Sequence, residues 1–269
     1  MPKPQGFCIF CGGPGLDHEH VIANWTARYL KKNIPEHGKL SLQIDNPGLL
    51  GRETVASTIK KIDGDPRSRR VRRVCKKCNR GWMRDWQNLA KPIAERIIQG
   101  HAVTLSASDQ KVLSMWVLMT VIVSEWSDPE YQAVPEGDRR FMWSMQSPPA
   151  HWKIFLGLHP EGVKDPYLHH ESAAFPNGSG DNDALNTQAT SYTVGNLYVH
   201  AVSSTIPAVV DGFKINLWGC PRLVQLWPII NAPQGWPPLV SLSRNDAERI
   251  AWAMYDYIGE VNRRNGAAP

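Results

Sequence analysis

Apolar residues recur along the chain in several patterns, and each pattern predicts a different kind of element. Between residues 82 and 97 they recur at helical spacing, and we expect Pro92 to kink or divide this helix near Lys91. The segment from Ser108 to Trp126 is apolar nearly all round, which predicts a central buried helix. Later runs rich in β-branched and aromatic residues predict an antiparallel sheet. These runs are Trp152 to Leu158, Ser191 to Ser203, Ala208 to Trp218 and Leu223 to Ile230.

The two ends of the chain complete the predicted fold. Residues 7 to 25 predict two short strands around a glycine-rich knuckle. Residues 26 to 66 are punctuated by Pro and Gly, so we expect loops there, with one short helix at most. Ser243 and Asp246 open an amphipathic terminal helix. The predicted class is α+β, with a small N-terminal domain, then helices, then a C-terminal antiparallel sheet with a terminal helix.

Charge is distributed unevenly along the chain. Residues 1 to 100 hold 19 Lys and Arg against 9 Asp and Glu, a net charge of +10. Residues 101 to 269 hold 11 against 16, a net charge of −5, and the two values add to the overall +5. A strongly basic domain is typical of a protein that meets polyphosphate or another acidic partner. We therefore expect two domains, residues 1–100 and 101–269, with different tasks.

Hydropathy and cysteine usage indicate a cytoplasmic protein without a membrane partner. No stretch reaches the roughly 18 to 20 continuous apolar residues that span a bilayer, and the start of the chain lacks the apolar segment of a signal peptide. The chain has 5 cysteines, an odd number for a disulfide framework, and four of them form two Cys-x-x-Cys pairs. In a reducing compartment such pairs indicate metal thiolates. The remaining one, Cys220, is expected to be a small buried hydrophobe.

The two cysteine pairs predict a structural zinc site. Cys8 and Cys11 form the first pair, and Cys75 and Cys78 form the second. Four thiolates in a tetrahedral arrangement are what zinc prefers when every coordination position is filled by protein. Because the pairs are far apart in sequence, the zinc would join two distant parts of the domain.

A carboxylate, an imidazole and an amide lie beside the cysteine pairs in sequence. Glu19 and His20 lie between the pairs, and Asn79 directly follows the second. A zinc ion bound by both pairs would draw these three residues together. Carboxylate and amide oxygens suit Mg²⁺ or Mn²⁺, and a neighbouring imidazole can deprotonate water. The chemistry that this set predicts is metal-assisted hydrolysis.

These motifs resemble those of the HNH endonucleases, a family of ββα-metal nucleases, over about residues 6 to 90. The matching segments are Glu19-His20-Val21-Ile22 and Val74-Cys75-Lys-Lys-Cys78-Asn79-Arg-Gly81-Trp82-Met83. The resemblance implies a ββα-metal HNH domain with zinc knuckles, in which the four cysteines hold the structural zinc. It also implies that Glu19 and Asn79 bind a catalytic divalent metal and that His20 is the general base.

The sequence departs from the family pattern at one position that matters for His20. Relatives often have an orienting asparagine nine positions before the helix asparagine, and this chain has Arg70 there. What supports the His20 ring is therefore left open by the sequence. His18 is a lesser candidate for the site, because strand alternation would place it on the same face as His20.

A dense basic run leads into the second cysteine pair. On its own such a run is typical of a solvated face, whereas beside a nuclease motif it predicts sequence-independent phosphate contacts. Lys60 and Lys61 extend the run toward the N-terminus. The expected nucleic-acid-binding residues are Arg67, Arg69, Arg70, Arg72, Arg73, Lys76, Lys77 and Arg80.

The sequence leaves three functions to be compared. The first is a metal-dependent HNH endonuclease that hydrolyses phosphodiester bonds, with DNA as the expected partner. The second is a non-catalytic zinc-containing nucleic-acid-binding protein on the same scaffold, and the third is a protein-interaction module. For the C-terminal domain, sensing a signal, binding a protein partner and forming a homodimer all stay open.

Overall fold

The computed structural model alternates strands and helices along the described part of the chain, which comprises residues 6–30, 36–45, 54–63, 68–159, 168–175, 185–212 and 221–257. Its strands are β1 (Leu16–His20), β2 (Glu36–Asp45), β3 (Thr54–Asp63), β4 (Arg70–Cys75), β5 (Val103–Leu105), β6 (Lys153–Leu158), β7 (Leu168–Ala173), β8 (Thr187–Val194), β9 (Leu197–Ser204), β10 (Leu223–Trp227) and β11 (Gln234–Trp236). Its α-helices are α1 (Lys76–Cys78), α2 (Arg84–Ile98), α3 (Ala107–Glu125), α4 (Glu136–Met145), α5 (Pro207–Gly212) and α6 (Arg244–Ala251).

A strand-strand-helix unit carries the second cysteine pair and follows the turn that carries the first. β1 pairs antiparallel with β4, and α1 begins directly after β4. A π-type turn (Asn79–Met83) joins α1 to α2, with the irregular backbone at Gly81. The segment before β1 forms a turn and no strand in the structure, so only one of the two strands predicted for residues 7 to 25 is present.

Helix α2 is continuous through Pro92, so the predicted division near Lys91 is wrong. Proline removes the N–H that would bind the carbonyl of Asn88, one turn earlier. Both Pro92 and Asn88 lie on the exposed side of the helix, where water can donate to that carbonyl instead. Buried alanine and isoleucine side chains hold the opposite side of the helix against the core.

Helix α3 is the central buried helix that the apolar segment predicted. It begins at Ala107, one residue earlier than expected, because Ser106 caps it: Ser106 Oγ accepts from the Asp109 N–H at 3.2 Å, and the Asp109 carboxylate accepts from the Ser106 N–H at 2.9 Å. From Leu113 to Glu125 every side chain is buried. A helix surrounded in this way contacts α2 on one side and the large sheet on the other.

The large sheet has seven strands within the described residues, in the order β10-β6-β9-β8-β7-β2-β3. The five strands from β10 to β7 are mutually antiparallel, whereas β2 lies parallel to β7 and continues into the β2–β3 hairpin. One face packs against α3, and the other packs against α5 and α6. The predicted α+β class and the C-terminal antiparallel sheet with its terminal helix are confirmed at this level.

Two predicted segments have a different secondary structure. Residues 36–45 and 54–63 form the β2–β3 hairpin, where loops were expected; its pairing with β7 is a long-range contact that local punctuation by Pro and Gly does not reveal. Residues 208–212, predicted as a strand, belong to α5, which begins at Pro207, a residue suited to the first helical position. Residues 213–220, including Cys220, lie outside the described part.

One hydrophobic core extends to both sides of residue 100. It joins Phe10 and Val74 of the N-terminal unit to Trp116 of α3 and to Val199 of the sheet. The division into domains 1–100 and 101–269 therefore stays a prediction about folding units, and it does not coincide with a gap in the core. No helix in the described residues combines the length and the apolar character needed to cross a bilayer.

Candidate functional site

A tight turn presents the first cysteine pair. The Cys8 N–H donates to the Gly13 carbonyl and the Gly12 N–H donates to the Cys8 carbonyl, both at 2.9 Å. Gly12 has a φ of +69°, in the left-handed region that glycine adopts without a steric penalty. The Gly13 N–H then donates to Cys11 Sγ at 3.3 Å. The turn thus points both thiols to one side and supplies a backbone donor to one of them.

The second pair is held where β4 becomes α1. Cys75 ends the strand and caps the helix, with its Sγ accepting from the Cys78 N–H at 3.4 Å. The four cysteine Sγ atoms all lie within 4.8 Å of one another, and those of Cys11 and Cys75 are 3.6 Å apart. Tetrahedral zinc with bonds of about 2.3 Å needs sulfur atoms roughly 3.8 Å apart. The cluster therefore has the composition and the spacing of a zinc site.

The thiols influence one another electrostatically. Hydrogen bonding from the Cys78 thiol, with further donors from the backbone, lowers the pKa of Cys8. The same interaction with Cys8, together with burial, raises the pKa of Cys78, and burial raises the pKa of Cys75. Closely packed sulfur atoms cannot all ionise without a counter-charge. A divalent cation would supply that charge.

The antiparallel pair β1–β4, called the β1–β4 hairpin here, carries the cysteine cluster at one end and Glu19 and His20 toward the other. Leu16, at the start of β1, lies opposite Cys75, and His20 at the end lies opposite Arg70. Asn79 connects the helix to this hairpin, because its Nδ2 donates to the His18 carbonyl at 3.2 Å. The structure therefore places the Asn79 side chain against the strand that carries Glu19 and His20.

Glu19 points into the protein and not toward solvent. Its exposed fraction is 7%, and its carboxylate borders a small cavity that is also lined by His20 and by apolar side chains of α3. Gln87 Nε2 donates to Glu19 Oε1 at 3.5 Å. Burial, with a smaller contribution from the charge of Asp17, raises the pKa of Glu19 to about 7. The sequence did not single out Gln87, although it lies one helical turn after the buried Met83 and shares its side of the helix.

Arg70 supplies the contact to the His20 ring that the sequence left open. Its Nε donates to His20 Nε2 at 3.0 Å across the hairpin. A bulge interrupts β1 between Asp17 and Glu19, so strict alternation does not relate His18 to His20. His18 is exposed, and Asp17 pairs with Arg80 at 3.4 Å.

The basic run divides into two groups with different surroundings. Arg69 forms a buried pair with Asp128 at 3.7 Å, and Arg73 lies 5.0 Å from the ring centre of Trp126. Arg72 is half-buried and its Nε lies 3.5 Å from the Leu16 carbonyl. The exposed members are Arg70, Lys76, Lys77 and Arg80. Arg67 and the side chains of Lys60 and Lys61 lie outside the described part.

Helix α4 forms hydrogen bonds to the turn that carries the first cysteine pair, a contact that the sequence did not predict. Arg139 Nε donates to the Ile9 carbonyl at 3.1 Å, and Arg140 Nη1 donates to the Cys11 carbonyl at 2.8 Å. Arg73 and Arg139 also lie within 5.0 and 5.6 Å of the Trp126 ring centre. The two hydrogen bonds join residues that are 130 and 129 positions apart, so no local pattern signals them.

Comparisons with known proteins found no matching family model, no matching curated protein and no matching solved structure. Within the described residues, the four cysteines are the group of His, Cys, Asp and Glu side chains whose ligand atoms are close enough to hold a metal ion. The functional assignment therefore depends on the geometry of the site.

Proposed function

We propose that this protein is a metal-dependent endonuclease of the HNH type that hydrolyses phosphodiester bonds in nucleic acid, with DNA as the expected substrate. The position of Asn79 is the observation that carries this proposal. Its side chain binds the backbone of His18, next to Glu19 and His20, and it follows directly on a cysteine of the four-thiol cluster. This contact supports a site that would combine the Glu19 carboxylate, the His20 imidazole and the Asn79 amide.

The four thiols would hold a structural zinc ion. Cys11 and Cys75 are 64 residues apart in sequence and touch at the cluster, so the metal would join the knuckle to the hairpin and the helix. With all four positions filled by protein, no coordination site is left for substrate. The catalytic ion must therefore be a second, different one.

The donor set at the hairpin suits Mg²⁺ or Mn²⁺. Glu19 offers a carboxylate, and because the Asn79 amide nitrogen donates to His18, its oxygen is the atom left to serve as a ligand. Magnesium sites often combine one or two protein ligands with water and substrate phosphate. When bound, such an ion supplies positive charge for the scissile phosphate and the leaving oxygen.

The chain's own residues would perform the remaining steps. His20 takes a proton from the attacking water at Nε2, the nitrogen that faces Arg70. The exposed Lys76, Lys77 and Arg80 bind neighbouring phosphates and align the backbone. Since these contacts are electrostatic, binding should weaken strongly as salt concentration rises.

The burial of Glu19 favours a second candidate, a non-catalytic zinc-containing nucleic-acid-binding protein on the same scaffold. Burial raises the pKa of the Glu19 carboxyl to about 7, and a carboxyl that holds its proton more readily is a weaker metal ligand. The phosphate-binding residues and the zinc site would be retained in that case. The protein would then bind nucleic acid without cutting it.

The test incubates zinc-loaded protein with supercoiled plasmid, single-stranded DNA and RNA, each with Mg²⁺ or Mn²⁺, alongside His20→Ala. Cleavage that requires the divalent ion and is lost in His20→Ala supports the endonuclease. Salt-sensitive binding without cleavage under every metal supports the second candidate. Cleavage that persists unchanged in His20→Ala would rule out the assignment of His20 as the base.

A further inference from the structure

The two carboxylate oxygens of Glu19 have different surroundings. Oε1 accepts a hydrogen bond from Gln87 Nε2 at 3.5 Å. Oε2 has no hydrogen-bond partner among the described residues, and it is not fully shut off from solvent. One oxygen is therefore held by the protein, and the other is left open to water or to a cation.

Helix α2 brings Gln87 to this carboxylate. Gln87 follows Met83 by four residues, so the two side chains lie on one face of the helix, and both line the cavity that Glu19 borders. Because Met83 is buried in the core, this face of α2 is directed inward. Among the described residues, Glu19 is the hydrogen-bond partner of the Gln87 side chain.

The segment from the π-type turn to α2 holds β1 at two adjacent residues. Asn79 Nδ2 donates to the His18 carbonyl at 3.2 Å, and Gln87 Nε2 donates to the Glu19 carboxylate. The first contact holds the backbone of the strand. The second holds the side chain of the next residue, so it determines the direction of the carboxylate.

The wall of the cavity offers Glu19 few other donors. Thr120 belongs to the wall, but its hydroxyl donates to the Trp116 carbonyl at 3.2 Å. Much of the remaining wall is apolar and cannot orient a carboxylate. The apolar side chains are those of Val21, Ala23, Met83, Met119 and Val123. Loss of the Gln87 amide would therefore leave the Glu19 carboxylate freer to turn.

We propose that Gln87 is a positioning residue of the catalytic metal site: it holds Glu19 Oε1 and leaves Oε2 to bind the divalent ion. This inference rests on the proposed nuclease function. Carboxylate ligands of metal ions are commonly held by a neighbouring hydrogen-bonding group, and loss of such a group typically lowers metal affinity by about ten- to a hundredfold. Gln87 acts through Glu19 and has no contact with the substrate.

Manganese binding to the full, zinc-loaded chain tests this role. Free Mn²⁺ is measured by electron paramagnetic resonance at about pH 8.5, where the Glu19 carboxyl, whose pKa burial raises to about 7, is ionised. We expect Gln87→Met, which keeps a side chain of similar length and removes its donor, to raise the Mn²⁺ Kd about tenfold or more. A Kd within about twofold of the wild type would overturn the positioning role.

Asn88→Met is the matched control. It replaces an amide with the same side chain at the neighbouring, exposed position of α2. Its Mn²⁺ Kd should stay within about twofold of the wild type.

A double-mutant cycle shows whether Gln87 acts through Glu19. Glu19→Asp keeps a carboxylate but shortens it by one methylene, which breaks a hydrogen bond that is already 3.5 Å long. In the Glu19→Asp background, Gln87→Met should therefore change the Mn²⁺ Kd by less than about twofold. A tenfold effect that persists in this background would mean that Gln87 acts on the metal directly, and it would overturn the proposal.

The magnesium dependence of plasmid cleavage provides a second readout. Gln87→Met should raise the Mg²⁺ concentration for half-maximal rate about tenfold, whereas kcat at saturating Mg²⁺ should return to within about threefold of the wild type, since excess metal compensates for lost affinity. A defect in folding would not be repaired by Mg²⁺. A kcat that stays low at saturating Mg²⁺ would contradict the proposal.

The outcomes separate the role of Gln87 from the function on which it rests. If the wild type neither binds Mn²⁺ nor cleaves nucleic acid with either metal, the proposed function fails and the role of Gln87 fails with it. If the wild type binds Mn²⁺ and cleaves while Gln87→Met matches it in both assays, only the role of Gln87 fails. Cleavage by the wild type with weaker Mn²⁺ binding in Gln87→Met supports both.

Discussion

Two regions of this protein bury polar side chains, and the groups that surround those side chains differ between the two regions. Around Cys8, Cys11, Cys75 and Cys78, four thiols are packed together and form few hydrogen bonds beyond those from backbone N–H groups. In the large sheet, buried histidines contact hydroxyl groups: His170 Nδ1 lies 2.8 Å from Thr190 Oγ1, and His200 Nδ1 lies 2.8 Å from Ser191 Oγ. The first arrangement could hold a metal ion, whereas in the second the contacts are made by protein groups.

The sheet network lies under α6. Ser191 Oγ and His200 Nδ1 are 2.8 Å apart, Tyr198 donates its hydroxyl proton to the Ala247 carbonyl at 3.1 Å, and its hydroxyl oxygen lies 2.9 Å from Ser191 Oγ. On the neighbouring strand, His169 Nε2 and Glu171 Oε1 are 3.2 Å apart. All the side chains of the network are buried. We therefore expect the stability of the cysteine region to depend on bound metal and the stability of the sheet to depend on pH.

The largest expected effect is that of zinc removal. Chelation, or Cys78→Ser, should destabilise the protein by on the order of 5 kcal/mol, because structural zinc supplies folding free energy directly. Hydrogen exchange should accelerate first in β1 and β4, with β8 and β9 protected longer. Added zinc should restore protection after chelation, and magnesium should not. Equal loss of protection in both regions at the earliest time would contradict the separation.

Truncation of Trp116, which belongs to the core that joins both regions, should lower the free energy of unfolding nearly as much as zinc removal. Trp116 is 1% exposed on α3, with its ring centre 5.4 Å from that of Trp25, and it borders the Glu19 cavity. Trp116→Ala should lower the free energy of unfolding by about 3 to 5 kcal/mol in urea titration. Trp143→Ala, at a position that is 36% exposed, should cost less than about 1 kcal/mol. A near-neutral Trp116→Ala would contradict the shared core.

The hydrogen bonds from α4 to the turn that carries the first cysteine pair should contribute less to stability than Trp116 does. Arg139→Met keeps the apolar stem and removes the donor to the Ile9 carbonyl, so we expect a loss of about 1.5 to 3 kcal/mol and weaker zinc binding in competition with a chelator. Arg244→Met is the control, because Arg244 forms an exposed pair with Glu248. Its effect should be within about 0.5 kcal/mol. Zinc affinity unchanged in Arg139→Met would show that α4 does not support the cluster.

The smallest expected effect is the pH dependence of the free energy of unfolding that the buried sheet histidine His200 causes. Burial, with a contribution from His169, lowers the pKa of His200 to about 3. The unfolded state therefore binds a proton below about pH 6.5 that the folded state refuses, and stability falls as pH drops toward 3. Between pH 6 and 5 the loss from this one residue is about 1 kcal/mol.

His200→Asn should remove that loss, which urea midpoints at the two pH values would measure. The comparison is between variant and wild type, because burial raises the pKa of Glu171, whose effect on the pH slope has the opposite sign. The exposed His101→Asn is the control and should keep the wild-type slope. If the change in the free energy of unfolding between pH 6 and 5 is the same in His200→Asn as in the wild type, His200 is not kept unprotonated by the folded protein.

The sequence predicted those features that depend on short spacing or on long apolar runs. The two cysteine pairs and Asn79 come together because each pair is a local motif and one cluster joins them. Helix α3 was predicted because a long apolar segment has few alternatives. The position of Glu19 on β1 followed from the motif, but its inward orientation depends on a bulge that the pattern does not show.

Other features could not be predicted because they depend on contacts between distant segments. Strand β7 reads Leu-His-His-Glu-Ser-Ala, and its polar residues are buried by pairing partners that hydropathy does not register. The contact of Arg70 with His20 depends on the β1–β4 register, and the contact of Arg139 with Ile9 depends on the position of α4. From sequence alone, Arg70 cannot be distinguished from a solvated arginine of the basic run.

We propose that Glu19, His20 and Asn79 form a metal-dependent hydrolytic site. The most direct measurement is the single-turnover rate of plasmid cleavage by zinc-loaded protein with Mg²⁺, compared for wild type, His20→Ala and His101→Ala. We predict that His20→Ala is slower by about a hundredfold or more, since that is the usual contribution of a general base, while His101→Ala keeps the wild-type rate. Equal rates for all three proteins, or a wild-type rate that does not depend on Mg²⁺, would contradict the account.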